Sequence, residues 1–481
     1  MATGTTGTDA GSTGGALETR GIEPVPVAER RGRPGELFWV WFAANISILG
    51  LPLGATLVAS GLTVWQAVIA AVLGAVGSFA IVGAISIAGR RGGAPGLTLS
   101  RAVFGARGNI GPTLVSLISR LGWETVNTTT AAFALLSLVT IVAGTSPAAK
   151  EHPVITIACI AVFVLCTVLV AGLGHGVLVA VQRWATWVFG ALNIVVGGFL
   201  VATVDWTAVT TAAPAPAGAV VAGIGVIAAG TGIGWVNASA DMSRYQSPSV
   251  RAGSLVASAA AGAGIPLVLL ISLGSLLAAG DPTLAEAGDP VAAIRDLLPA
   301  WMAIPYLVAA FGGLLLANHL SVYSAGLTTL TLGLKVPRVY AVVVDVLVTF
   351  LGAIYFMLVA DGFYTPFVAF ISALAIPSTA WVGVFAADML RRRHYDPDAL
   401  VDTTRAGRYW YRGGIEPRAT TAWAVAIVVG YLFATVGPSS APWFTGSLAG
   451  TWLGENGLAW VITFVVAAGG YGLLGGAREP R

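Results

Sequence analysis

Charge is scarce in this chain: only 10% of its 481 residues are Asp, Glu, Lys or Arg, against roughly 25% in an ordinary soluble domain. So few ions cannot cover a water-facing surface. Cysteine is nearly absent as well, and Cys159 and Cys166, seven apart in one apolar stretch, read as two small buried side chains rather than a disulfide or a metal site. The four histidines, 152, 175, 319 and 394, are scattered. They supply no metal-ligand spacing and no convergent nucleophile set, which argues against a membrane enzyme and predicts no bound metal or organic cofactor. No GxxxxGK[ST] phosphate loop occurs, so any work the protein does should draw on an ion gradient rather than on nucleotide. A net charge of +3 gives no reason to expect nucleic acid, and nothing points to an obligatory protein partner.

What is present instead is apolar length. Hydrophobic residues make up 56% of the chain, and stretches of the roughly 20 residues that a spanning helix needs recur along it. About twelve spans are expected, at 36–60, 63–89, 112–143, 153–173, 176–204, 219–240, 251–279, 300–333, 338–360, 364–390, 419–436 and 457–476. The fold class is therefore an all-α integral membrane protein, with the lipid bilayer as its solvent. Its expected organisation is a disordered tail over 1–35, a ten-helix core over 36–390, a loop over 391–418, two further helices over 419–476 and a short end over 477–481. Residues 1–19 have no apolar run and do not read as a signal peptide. The 62 glycines suit helices that pack closely in lipid.

Basic residues set the orientation. With the N-terminus inside, 22 of the 25 Arg and Lys residues fall on one side, seven of them between 391 and 418. Lys150 and Arg295 fall outside, Arg120 lies within the third span, and loop 280–299 carries Asp281, Glu286, Asp289 and Asp296. Both termini should then be cytoplasmic, in a cell membrane.

Two spans look breakable at mid-membrane. The first contains ILGLPLGA, with Gly50, Pro52 and Gly54; the sixth contains GIGVIAAGTGIGW, with five glycines from 223 to 234. Proline removes a backbone donor and glycine tolerates helix-breaking dihedrals. Interruptions at corresponding positions of two five-helix halves point to an inverted repeat and to a transporter's binding site.

Polar groups gather near the same depth. Trp123 and Asn127 are four apart on the third span and share a face; an indole can stack on a planar ring while an amide reads its edge. Trp235 and Asn237 follow the glycine-rich stretch, and Asn318, Ser321 and Tyr323 lie on the eighth span. The expected ligand is a small planar heterocycle. Arg120 and Glu124, four apart, could pair with each other, or Glu124 could carry a proton. Asp241 and Arg244 suit a gate at the inner end of the sixth span, and His319 and Asp345 are further candidates for proton coupling.

These residues stand within longer motifs. GIEPVPVAERRGRPGELFWVWFAANISILGLPLGA, APGLTLSRAVFGARGNIGP, GWETVN and GTGIGWVNASADMSRY together resemble the purine–cytosine permease branch of the nucleobase:cation symporters, over roughly residues 21–420. The resemblance implies a five-plus-five inverted repeat with two extra helices, secondary active transport by alternating access, and substrates of the cytosine, purine, allantoin or hydantoin type. It assigns the solute to Trp123 and Asn127, the latter often Gln in the family, and to the Asn318 region. It implies either Na+ or H+ as the coupling ion. Sodium in such relatives is held by first-helix carbonyls and eighth-helix hydroxyls, here the backbone near Asn45 and Leu49 with Ser321 or Ser324. An amino-acid symporter of the same architecture is the alternative, and would need partners for a carboxylate and an ammonium.

Overall fold

The computed structural model describes residues 20–475, apart from 147, 172–174, 286, 288, 335, 361, 363 and 438–440. The tail expected at 1–19, the end at 477–481, and Glu286 and Lys335 lie outside the described residues.

Lipid offers no hydrogen-bond partner, so each apolar run closes its backbone bonds internally as a helix. The first span is a bent pair, α1 (Pro34–Asn45) and α2 (Gly50–Ala59), which meet at 62°. There follow α3 (Val64–Gly92), the short α4 (Gly96–Phe104), α5 (Ile110–Ala143), α6 (Pro153–Ala171), α7 (His175–Val201) and α8 (Ala217–Ser243). Next come α9 (Ala252–Gly280), α10 (Ala300–Thr331), α11 (Tyr340–Val359) and α12 (Tyr364–Arg391). The last two are α13 (Pro417–Leu432) and α14 (Ala459–Leu473). Among the described residues nine helices are long and apolar enough to cross a membrane, or ten if the bent pair is one span. The last two expected spans are helical but shorter, at 16 and 15 residues. The outer faces are apolar, with Trp184 71% and Ile194 76% exposed, as contact with lipid rather than water requires.

The two interruptions differ from expectation in kind. The first helix does break, but over residues 46–49, ahead of the proline: Pro52 sits in the first turn of α2, where its missing N–H has no intrahelical partner to lose. The sixth is not broken. It runs from Ala217 to Ser243 as one span, with a π turn at Ala229–Ile233 and a 3-10 turn at Val236–Ala238. Glycine permits a break without forcing one, and no proline lies in this stretch. The glycines serve close approach instead: a Cβ on Gly232 would strike Ser78 of α3, and one on Gly54 would strike the Ile271 carbonyl of α9.

The arginine-rich end is tied together by buried polar contacts. Residues 20–33 are part of it, so the expected disordered stretch over 1–35 does not extend through them. Arg30, buried, donates to the carbonyls of Val25, Arg90, Arg91 and Gly92, closing the last turn of α3. Arg101 on α4 donates to Leu400 O at 2.9 Å and Thr331 O at 2.6 Å, and burial lowers its pKa to about 10. Asp388 of α12 accepts from Arg392 Nε and from Tyr471 OH, both at 2.7 Å, which fastens α14 to the core. At the opposite end a short antiparallel pair, Thr435–Val436 with Phe444–Thr445, closes the loop between α13 and α14.

Candidate solute-binding site

The break between α1 and α2 opens onto a cavity within the helix bundle. Asn45, Ser47, Leu49 and Gly50 line it from the break, Trp123 and Asn127 from α5, Gly230, Thr231 and Trp235 from α8, and Phe367 and Ile371 from α12. No charged side chain is among its lining residues.

The rings are fixed edge to face. Trp123 meets Phe367 at 4.9 Å between centroids and 81° between planes, and Trp235 meets Trp41 at 5.6 Å and 71°. Each indole is thereby held by a neighbour's ring in a T-shaped contact. Gly234 lets the Trp123 indole close on α8, since a Cβ there would lie 3.0 Å from its Nε1. Thr231 Oγ1 donates to Ile227 O at 2.6 Å, so the π turn keeps its hydroxyl bonded along the wall.

Amides from two helices join at the cavity's side. Asn127 Nδ2 donates to Asn318 Oδ1 at 3.4 Å, and Asn318 Nδ2 donates to Thr167 Oγ1 at 3.1 Å. Asn127 lines the cavity while Asn318 lies one contact behind it.

Of the expected solute residues, then, Trp123, Asn127 and Trp235 come together and Asn318 supports them. Asn237 lies elsewhere: it is buried, and a Cβ on Gly96 of α4 would strike its carbonyl. Ser321 is buried on α10 away from the lining. Asn45 Nδ2 donates to Trp41 O at 2.8 Å and Leu49 N to Ser47 Oγ at 3.4 Å. Ser324 Oγ donates to Asp241 Oδ2 at 2.7 Å, so neither serine of α10 is brought to the break. On α10, Gly313 packs against Ile46 O and Ala317 lines the cavity.

Asp241 also accepts from Gly96 N at 2.8 Å, and Arg244 donates to Gly21 O and Tyr323 OH, each at 2.8 Å. Both groups stitch the C-terminal end of α8 to its neighbours. His319 Nε2 lies 3.4 Å from Cys166 O on α6. Arg120 does not pair with Glu124: its guanidinium carbon lies 4.4 Å from the centroid of Trp235, a cation–π contact. Both Glu124 carboxyl oxygens are buried without a hydrogen-bond partner among the described residues.

Phe367, Ser47 and Thr167 were not legible as site residues. An isolated Phe in an apolar helix carries no signal, and Ser47 gains its place only because the helix breaks beside it.

The profile of a family described as permease for cytosine/purines, uracil, thiamine, allantoin matches residues 24–453. The chain belongs to this family. Among permease relatives, the Bacillus subtilis (strain 168) protein YxlA, which bears the provisional name purine–cytosine permease, is 28% identical over 97% of this chain and 96% of its own. The fold is shared with solved structures. Mhp1, a nucleobase-cation-symport-1 family transporter held closed with bromovinylhydantoin bound, superposes with a TM-score of 0.70 at 20% identity, covering 93% of each chain. A Na+-coupled sialic acid symporter superposes at 0.60 and 13% identity, covering 94% of this permease and 92% of that chain.

Proposed function

We propose that this permease is a secondary active transporter that imports a nucleobase or related planar heterocycle together with a cation, by alternating access around the α1–α2 break. The observation that carries the reading is the cavity itself: two indoles and a phenyl ring at its walls, one amide pair at its side, and no charge in its lining. A flat neutral ring satisfies all three. An amino-acid ligand does not, because its carboxylate and ammonium would enter without a charged partner.

The proposed architecture is five-plus-five, with residues 36–390 as the ten-helix transport core, 391–418 as a cytoplasmic loop and 419–476 as two added spans. Both termini face the cytoplasm of the cell membrane, as the 22 basic residues on one side favour. No protein partner is needed for transport in this reading.

Proteoliposomes holding the purified protein test it directly. Radiolabelled cytosine, adenine, uracil and allantoin are offered with a sodium gradient, a proton gradient or neither. At least one should accumulate with a gradient and only equilibrate without one. Failure of all four to enter faster than into empty vesicles would refute the reading.

A further inference from the structure

Helices α5 and α10 run antiparallel, and their register is fixed at two levels. Asn127 meets Asn318, and one turn away Ala131 and Leu314 share an apolar cluster. One turn in the other direction the same register sets Glu124 opposite Ser321. Both are wholly buried, and neither the two Glu124 oxygens nor the Ser321 hydroxyl closes a hydrogen bond among the described residues. A bare carboxylate in a membrane interior is costly, so the side chain must share its site with a cation.

Most of the surrounding charged groups are engaged elsewhere. Arg120, one turn away on the same helix, lies over Trp235 and makes no ion pair with Glu124, although its buried Nε and Nη1 also have no hydrogen-bond partner among the described residues. Asp241 accepts from Gly96 and Ser324, and Arg244 donates to Gly21 and Tyr323. His319 of α10 turns to the Cys166 carbonyl of α6, which otherwise offers only Cys159 and Cys166. Arg295 reaches α5 at Ser137, far along the helix, and Asp388 of α12 holds Arg392. From α11 comes Asp345, buried, whose Oδ1 accepts from Thr329 at 3.3 Å while its Oδ2 has no partner among the described residues.

We propose that the coupling cation is a proton carried on the Glu124 carboxyl, with Ser321 beside it and Asp345 as the next acceptor toward the arginine-rich end. The inference rests on the transport reading above and adds which ion moves and on which atoms. A sodium ion needs a shell of several oxygens, as hard cations do. Helices α5 and α10 are unbroken here, so their carbonyls are spent on helix bonds. At the α1–α2 break, where carbonyls are freed, Ile46 O accepts from Asn193 Nδ2 at 3.4 Å and faces Gly313, which has no hydroxyl. Ser321 is eight residues further on, about 12 Å along the helix. The step balances simply: an O–H bond forms on Glu124 with a proton from water on one side. It breaks as that proton passes to the Asp345 carboxylate, and thence to water on the other side.

The test uses sodium-free proteoliposomes with an entrapped pH dye and the four radiolabelled compounds named above. In the wild type, adding the transported compound should acidify the lumen, and an inward proton gradient should drive its accumulation. Glu124→Gln should cut gradient-driven accumulation at least tenfold while exchange of internal for external compound continues, and Glu124→Asp should restore part of the coupling. Wild-type accumulation that needs sodium and leaves the lumen pH unchanged would overturn the proposal, whether or not the variants fold. So would Glu124→Gln protein that still accumulates on a proton gradient. If the wild type exchanges none of the four, the solute reading fails and this inference falls with it.

Discussion

The amide of Asn127 donates to Oδ1 of Asn318 across 3.4 Å, and Asn318 passes the bond on to the Thr167 hydroxyl at 3.1 Å. One polar thread thus joins α5, α10 and α6 beside the cavity. Of the three, only Asn127 lines the cavity, so in the proposed reading Asn318 is a positioning residue that acts through it.

Asn127→Ala and Asn318→Ala should therefore be non-additive. Each should change which of the four labelled compounds competes best, and the double variant should lose less affinity than the two singles summed, with a coupling of about 0.5–3 kcal/mol. Competition binding on all three proteins measures it; strict additivity would mean that the two amides act independently.

Close packing of α2 on α9 predicts opposite signs for one substitution at two glycines. Gly54→Ala would drive a methyl into the Ile271 carbonyl, whereas Gly77, exposed on α3, has open space where its Cβ would lie. Gly54→Ala should lower the thermal midpoint, by the 1–3 kcal/mol typical of overpacking. Gly77→Ala should be neutral or stabilising, since Ala is favoured over Gly in a helix by about 1 kcal/mol. Detergent melts that rank the two the other way would contradict the packing.

Orientation is tested with a background in which Cys159 and Cys166 are replaced by serine. Single cysteines placed at Asp289 and at Arg405 should label from opposite sides of sealed cells with an impermeant maleimide. Labelling of both from the same side would remove the topology.

Much of this was legible beforehand because lipid makes the rules strict. Apolar length gave helices in all twelve expected stretches, and four-residue spacing brought Trp123 and Asn127 to one cavity. What could not be read was backbone detail that depends on neighbours. Pro52 marks a helix start as readily as a break, and the glycines of α8 can loosen a helix or admit Ser78 against it. The fate of paired charges was hidden too. Arg120 and Glu124 are spaced to pair on an isolated helix, but the ring of Trp235, contributed from more than a hundred residues away, takes the guanidinium and leaves the carboxyl bare. Asn237 and Ser321 have the right chemistry for a solute site but do not line the cavity, which only the packed bundle reveals.

The central claim is that a planar heterocycle stacks in the cavity against Trp123. Its most direct test is equilibrium binding of the four labelled compounds to purified wild type, Trp123→Phe and Trp123→Ala, with a melt of each protein to confirm folding. Stacking of a base on an aromatic side chain contributes about 1–3 kcal/mol. Trp123→Ala should then weaken the bound compound roughly fivefold to more than a hundredfold, with Trp123→Phe intermediate. A folded Trp123→Ala protein that binds its compound with wild-type affinity would make Trp123 a packing residue and place the solute elsewhere.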